Sequence, residues 1–245
     1  MTTRTAGMLT LAFATITLTV SAATSKPDRE MQMVLDALAS LGGKPIETLT
    51  PAEARKQPTP ADAVAKVLKE QGKDTAPEAV AKVENRSIAG PAGQIPIRIY
   101  SPKGNGPFPV ILYIHGGGWV IANLDTYDAS ARALTNAAGV VVVSTHYRQG
   151  PEHKYPAAHD DTFAAYKWTL ASAKSLAGDP ARVAVAGESA GGNLAAALKA
   201  ANVPVTHRNF EGSTHEFFGM GAVVPDAKEA VGFAAGELRK PFGRR

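Results

Sequence analysis

Residues 183–193 read Val-Ala-Val-Ala-Gly-Glu-Ser-Ala-Gly-Gly-Asn. A run of small and β-branched apolar residues leads into Gly187, a serine follows two positions later, and Gly191 opens an alanine-rich stretch. A buried strand that turns sharply into a helix accounts for this order. At such a turn Ser189 is forced into strained dihedrals. The positions two before and two after it lack side chains because strand and helix close on them. The Ser189 hydroxyl then stands above the sheet at the positive end of a helix dipole, a setting suited to a nucleophile. The G-x-S-x-G spacing alone is a weak signal; the strand before it and the helix after it carry the reading.

Working outward, Val110 to Ile114 is a continuous apolar run, and Val140 to Val143 is another. Both have the character of strands buried on two faces. Helical stretches over Tyr127 to Ala138 and Pro156 to Ser175 lie between the apolar runs. The alternation predicts an α/β fold with a mostly parallel sheet and helices on both faces. Immediately after the first run comes His115-Gly116-Gly117-Gly118-Trp119. Three glycines behind a buried strand leave backbone N–H groups free to converge on one point, as a developing oxyanion requires. Gly117, Gly118 and Ala190 N–H are the candidate oxyanion hole, with Gly116, Gly187 and Gly191 as its structural support. A plain flexible turn with Trp119 in the core is the alternative. His115 belongs to this loop and is expected to be a structural hydrogen bonder rather than a base.

The remainder bounds the chain. At 245 residues, 44% hydrophobic and 20% charged, it suits one globular domain with a small appendage. Met8 to Val20 is uncharged and is followed by Val20-Ser21-Ala22 and Ala23. Residues 1–23 therefore read as a secretory signal, too short for a spanning helix, and imply a secreted or periplasmic protein with no stable membrane span once the signal is removed. Cysteine is absent, which excludes disulfides and thiol chemistry. A formal charge of +4 with scattered basic residues gives no nucleic-acid patch; the one cluster, Arg239-Lys240 with Arg244-Arg245, reads as a solvated end. No metal-ligand spacing is present. Residues 24–82 form a helical, alanine-rich segment, with Thr50 as an N-cap before Pro51. Residues 83–245 form the core, opening on a hairpin of Val83 to Ile88 and Ile95 to Tyr100 around Gly90-Pro91-Ala92-Gly93.

Four motifs in order, HGGGW (115–119), YRQGPEHKYPAA (147–158), DPARVAVAGESAGGN (179–193) and VPVTHRNFEGSTHEFFGM (203–220), resemble the bacterial hormone-sensitive-lipase-like esterases. The likeness covers almost everything from Pro27 onward, and the N-terminal helices resemble that family's cap. It implies an α/β-hydrolase fold and cleavage of carboxylic esters without a cofactor or metal. By motif, Ser189 is the nucleophile and His215 the general base. His207 is the rival base, but it is expected to lie mid-strand.

The chain departs from the family between those two residues. Such hydrolases carry Ser, then Asp or Glu, then His, with the acid on a loop after its own strand, and a strand-and-crossover unit takes about 30 residues. Between Ser189 and His215 there is room for one helix and one strand, over 203–209. The core therefore reads as internally shortened between about 194 and 203, with a truncated sheet and no family acid. The 203–209 strand is then expected beside the Ser189 strand. The candidate acids are few. Glu211 alone lies between the two, Glu216 is adjacent to His215, and Asp160 and Asp161 begin a helix elsewhere in the sheet order. Two functions follow. One is hydrolysis of short acyl esters, with a small-molecule ester as partner, impaired by the missing acid; an amide or formamide is a variant substrate. The other is a non-catalytic remnant or acyl-binding module, for which an unpaired sheet edge invites self-association.

Overall fold

The computed structural model describes residues 26–199, 208, 210 and 212–242. The signal segment read at 1–23, His207, Glu211, Arg244, Arg245 and all of the 203–209 strand except Arg208 lie outside the described residues.

Three helices precede the sheet: α1 (Arg29–Ser40), α2 (Pro51–Ala54) and α3 (Pro60–Glu70). The Asp28 side chain caps α1 by accepting from Met31 N–H. Thr50 and Thr59 each form a capping box before a proline, with Glu53 and Asp62 as the reciprocal acids. These boxes satisfy N–H groups that a helix start otherwise leaves unpaired. The helical pattern expected as far as Lys82 stops at Glu70. Gly72 takes φ +66°, and Lys73 N–H returns to Leu68 O at 2.9 Å, a glycine-dependent stop that ends α3. Met31, Val34, Val64 and Val67 bury their side chains together with Met220, Val224 and Ala227.

The sheet has five strands: β1 (Lys82–Gly90), β2 (Gly93–Ser101), β3 (Phe108–Ile114), β4 (Val141–Thr145) and β5 (Gly178–Gly187), in the order β1-β2-β4-β3-β5. β1 and β2 form the expected hairpin, and β2 joins β4 antiparallel. β4, β3 and β5 are mutually parallel, with Ile111 opposite Val142 and Ala184. The pleat divides the apolar runs between two cores. Val110, Leu112, Ile114, Val141 and Val143 pack toward α5 (Ala157–Ser172) and α6 (Ala190–Lys199). Ile111, Tyr113 and Val142 pack toward α4 (Asp128–Ala138) and α7 (Pro225–Phe242) on the other face. This is an α/β-hydrolase fold of partial length. β5 ends the sheet among the described residues, and its Val183 to Ala186 stretch is only half-buried.

Candidate active site

Ser189 sits between the end of β5 and the start of α6 with φ +52°. The turn can close only on glycine. A Cβ on Gly191 would overlap Ile114 O and lie 2.6 Å from His115 O, and one on Gly187 would overlap Gly191 O. Asn193 N–H bonds Ser189 O at 3.0 Å, so α6 begins directly behind the serine. The left-handed φ is strained for a residue with a side chain, and it leaves the Ser189 side chain exposed.

His215 comes to this serine from the segment before α7. Its Nε2 lies 2.8 Å from Ser189 Oγ. Three contacts hold the segment: Asp28 N–H to Gly212 O at 3.1 Å, Ser213 Oγ to Asp226 at 2.9 Å, and Thr214 Oγ1 to Met31 Sδ at 3.2 Å. The N-terminal helix α1 and the start of α7 thus fix where His215 stands. The imidazole is 73% exposed, and Glu216 Oε1 lies 3.5 Å from the same Nε2. Among the described residues no acceptor engages Nδ1. Asp161 is committed elsewhere, accepting from Arg148 Nε at 2.8 Å and Nη2 at 2.9 Å while 2% exposed.

The glycine loop starts against this turn, where Glu188 N–H bonds Ile114 O at 3.3 Å and a Cβ on Gly191 would press on His115 O. Gly117 takes φ +92° and Gly118 φ +58°. Gly117 O accepts from both Val120 N–H and Ile121 N–H, at 3.0 and 2.9 Å. The N–H groups of Gly117, Gly118 and Ala190 take no acceptor among the described residues. His115 is fully buried, with Nδ1 2.8 Å from Gly116 O and Nε2 3.0 Å from His146 Nδ1. A ring nitrogen facing a carbonyl must carry the proton, so His115 Nε2 is the acceptor for His146. Burial lowers the His115 pKa to about 4, and the ring stacks on Tyr147, whose hydroxyl donates to His115 O and Gly116 O. His115 is a neutral brace for the loop.

Beneath the serine two carboxylates meet two phenols. Tyr113 donates to Glu188 and Tyr127 donates to Glu216. Desolvation raises the Glu188 pKa to about 7, against the Tyr113 hydrogen bond, which lowers it; the nearby Glu216 charge raises it further. Burial likewise lifts the Tyr127 hydroxyl well above the usual phenol range, helped by Glu216. Gly116 makes room for this pairing, since a Cβ there would lie 2.8 Å from Glu216 Oε1 and overlap the Tyr127 hydroxyl. From the sequence Glu216 is one of the few candidate acids, a poor one because it adjoins His215. Its φ of +70° turns the carboxylate back toward Nε2, and no local sequence signal announces that. A cavity of about 470 Å³ adjoins the site beneath α2 and α3, reaching Gly117, Glu188 and Glu216. Ser189 and His215 stand outside its lining. No group of three metal-ligating side chains occurs among the described residues.

Residues 111–199 match the α/β-hydrolase fold family. Carboxylesterase NlhH of Mycobacterium tuberculosis is 48% identical over 120 residues, which are 48% of this chain and 37% of that protein. Ethyl acetate hydrolase of Pseudomonas putida is 33% identical over 177 residues, 70% of this chain and 54% of that protein. The chain thus spans roughly a third to a half of the length of these curated relatives. Ester hydrolase EH1AB1 from the Lake Arreo metagenome has a TM-score of 0.72 at 27% identity, over 89% of this chain and 100% of that one. The esterase of the archaeon Pyrobaculum calidifontis has a TM-score of 0.73 at 22% identity, over 89% and 99%, a likeness of fold alone.

Proposed function

From a chain that carries the α/β-hydrolase fold and is similar to the hormone-sensitive-lipase-like esterases, we propose a carboxylic ester hydrolase that acts on short acyl esters through Ser189. The observation that carries the reading is the 2.8 Å approach of His215 Nε2 to Ser189 Oγ at a left-handed turn, which packs against the strand end that leads into the glycine loop. Ser189 Oγ attacks the ester carbonyl while His215 Nε2 takes its proton, then returns that proton to the departing alcohol. The carbonyl oxygen, now anionic, is received by the N–H groups of Gly117, Gly118 and Ala190, which take no acceptor among the described residues. No carboxylate meets His215 Nδ1 among the described residues, and the proposal is that the imidazole works without a partner to fix its tautomer. Catalysis is correspondingly slow: loss of that partner costs about 10⁴ in kcat where it has been removed from a complete triad.

Export by the segment 1–23 and assembly into a homo-oligomer belong to the same proposal. A non-catalytic remnant is the second reading, favoured by the 73% exposure of His215. Hydrolysis of p-nitrophenyl acetate separates the two. Ser189→Ala and His215→Ala are each expected to fall to the same floor, because the two groups act as one unit. Turnover that survives in Ser189→Ala assigns the activity to another group and removes Ser189 from the mechanism.

A further inference from the structure

Arg55, the residue that follows α2, reaches across to the core and makes four hydrogen bonds with one guanidinium. Nε donates to Val120 O at 2.8 Å and Nη2 to Gly150 O at 2.7 Å. Nη1 and Nη2 hold the two carboxylate oxygens of Glu152, each at 2.8 Å. The Arg55 hydrogen bond keeps the Glu152 carboxyl far down its range, at about 2. A planar fork can serve a carboxylate and two carbonyls at once, which a lysine ammonium does not reproduce.

The carbonyl that Nε holds belongs to the glycine loop. Val120 N–H and Ile121 N–H both bond Gly117 O, so the position of Val120 sets the turn that commits the Gly117 carbonyl and leaves the Gly117 and Gly118 N–H groups free. The neighbouring carbonyls are held from within the core: Trp119 O by Gly150 N–H at 2.8 Å, Ile121 O and Ala122 O by Gln149 Nε2 at 2.7 and 3.0 Å. Of these holders, Arg55 alone comes from the helices that precede the sheet.

We propose that Arg55 is a positioning residue, the clamp by which the N-terminal helices hold the oxyanion loop in its working shape. This rests on the reading of Gly117 and Gly118 as oxyanion donors, and it adds a specific dependence of that loop on α2. A displacement of about 1 Å at such donors is enough to cost on the order of 10² in rate.

The test uses the full chain and the variants Arg55→Met, Arg55→Lys and Glu152→Gln. Amide hydrogen exchange at Val120 and Ile121 is expected to quicken at least about tenfold in Arg55→Met and less in Arg55→Lys. The β3 and β4 amides should keep their protection. In Glu152→Gln, which keeps the Val120 bond, the loop should change by less than about threefold. In p-nitrophenyl acetate hydrolysis, Arg55→Met is expected to lose about ten- to a hundredfold in kcat with KM within about threefold. Loop exchange that is unchanged in a folded Arg55→Met or Arg55→Lys protein overturns the proposal. So does an acceleration shared equally by the sheet, which marks general destabilisation. If the parent protein shows no hydrolysis, the catalytic reading of Ser189 fails, while the exchange measurement still decides the role of Arg55.

Discussion

Replacing Glu188 with glutamine should change stability in a way that depends on pH, and the structure gives the size. Desolvation raises the Glu188 pKa from 4.5 to about 7 in the folded protein. The folded state therefore binds this proton more tightly than the unfolded state does. The stability linked to it is fully present below about pH 4.5, is lost as pH rises, and is gone above about pH 7. A shift of about 2.5 units at 1.36 kcal/mol per unit comes to about 3 kcal/mol, an upper figure because the residue is partly open to solvent. Glutamine keeps an acceptor for the Tyr113 hydroxyl and never ionises. Glu188→Gln should match the parent within about 0.5 kcal/mol at pH 4.5 and exceed it by up to about 3 kcal/mol at pH 8. Urea unfolding at the two pH values, with slopes compared to confirm the same unfolding transition, measures this difference. An equal gap between parent and variant at both values, or a parent more stable at pH 8, would refute the reasoning that burial holds this proton.

Gly191→Ala should abolish hydrolysis and destabilise the fold, since its Cβ would overlap Ile114 O and press on His115 O; a thermal melt and an ester assay on the same sample check both, and near-parental activity contradicts the turn geometry. The His115 imidazole should remain neutral down to about pH 5, because burial holds its pKa near 4, and its ring resonances in an NMR titration should stay fixed between pH 8 and 5. Amide substitutions at Glu211, Asp160 and Asp226 should each change the residual rate by less than about tenfold, whereas a true triad acid costs about 10⁴. A loss of several thousandfold at any one of them identifies a replacement acid.

The serine turn was legible because its constraints are local. Gly187 is demanded by the carbonyl of Gly191 four residues on, while Gly191 also meets Ile114 O and His115 O at the end of the neighbouring strand; the Val183 to Ala186 run before them marks a strand. His115 was expected to be a structural hydrogen bonder from its place in the glycine loop, and its ring lies buried with Nδ1 near Gly116 O and Nε2 near His146 Nδ1. What escaped the sequence depends on residues far apart in the chain. Arg55 meets Glu152 across 97 positions, and Tyr127 meets Glu216 across 89; neither pair has a local pattern. The stop of α3 at Glu70 was written in Gly72, but an alanine-rich composition outweighed one glycine in the reading.

Covalent labelling of Ser189 by a fluorophosphonate, located by peptide mass spectrometry, tests the central claim most directly, because the reaction needs an activated serine and donors for the phosphoryl oxygen without needing turnover. The account predicts that the parent protein labels at Ser189, that His215→Ala labels far more slowly, and that Ser189→Ala does not label at all. A folded parent protein that takes up no probe at Ser189, or one whose labelling is indifferent to His215, contradicts it.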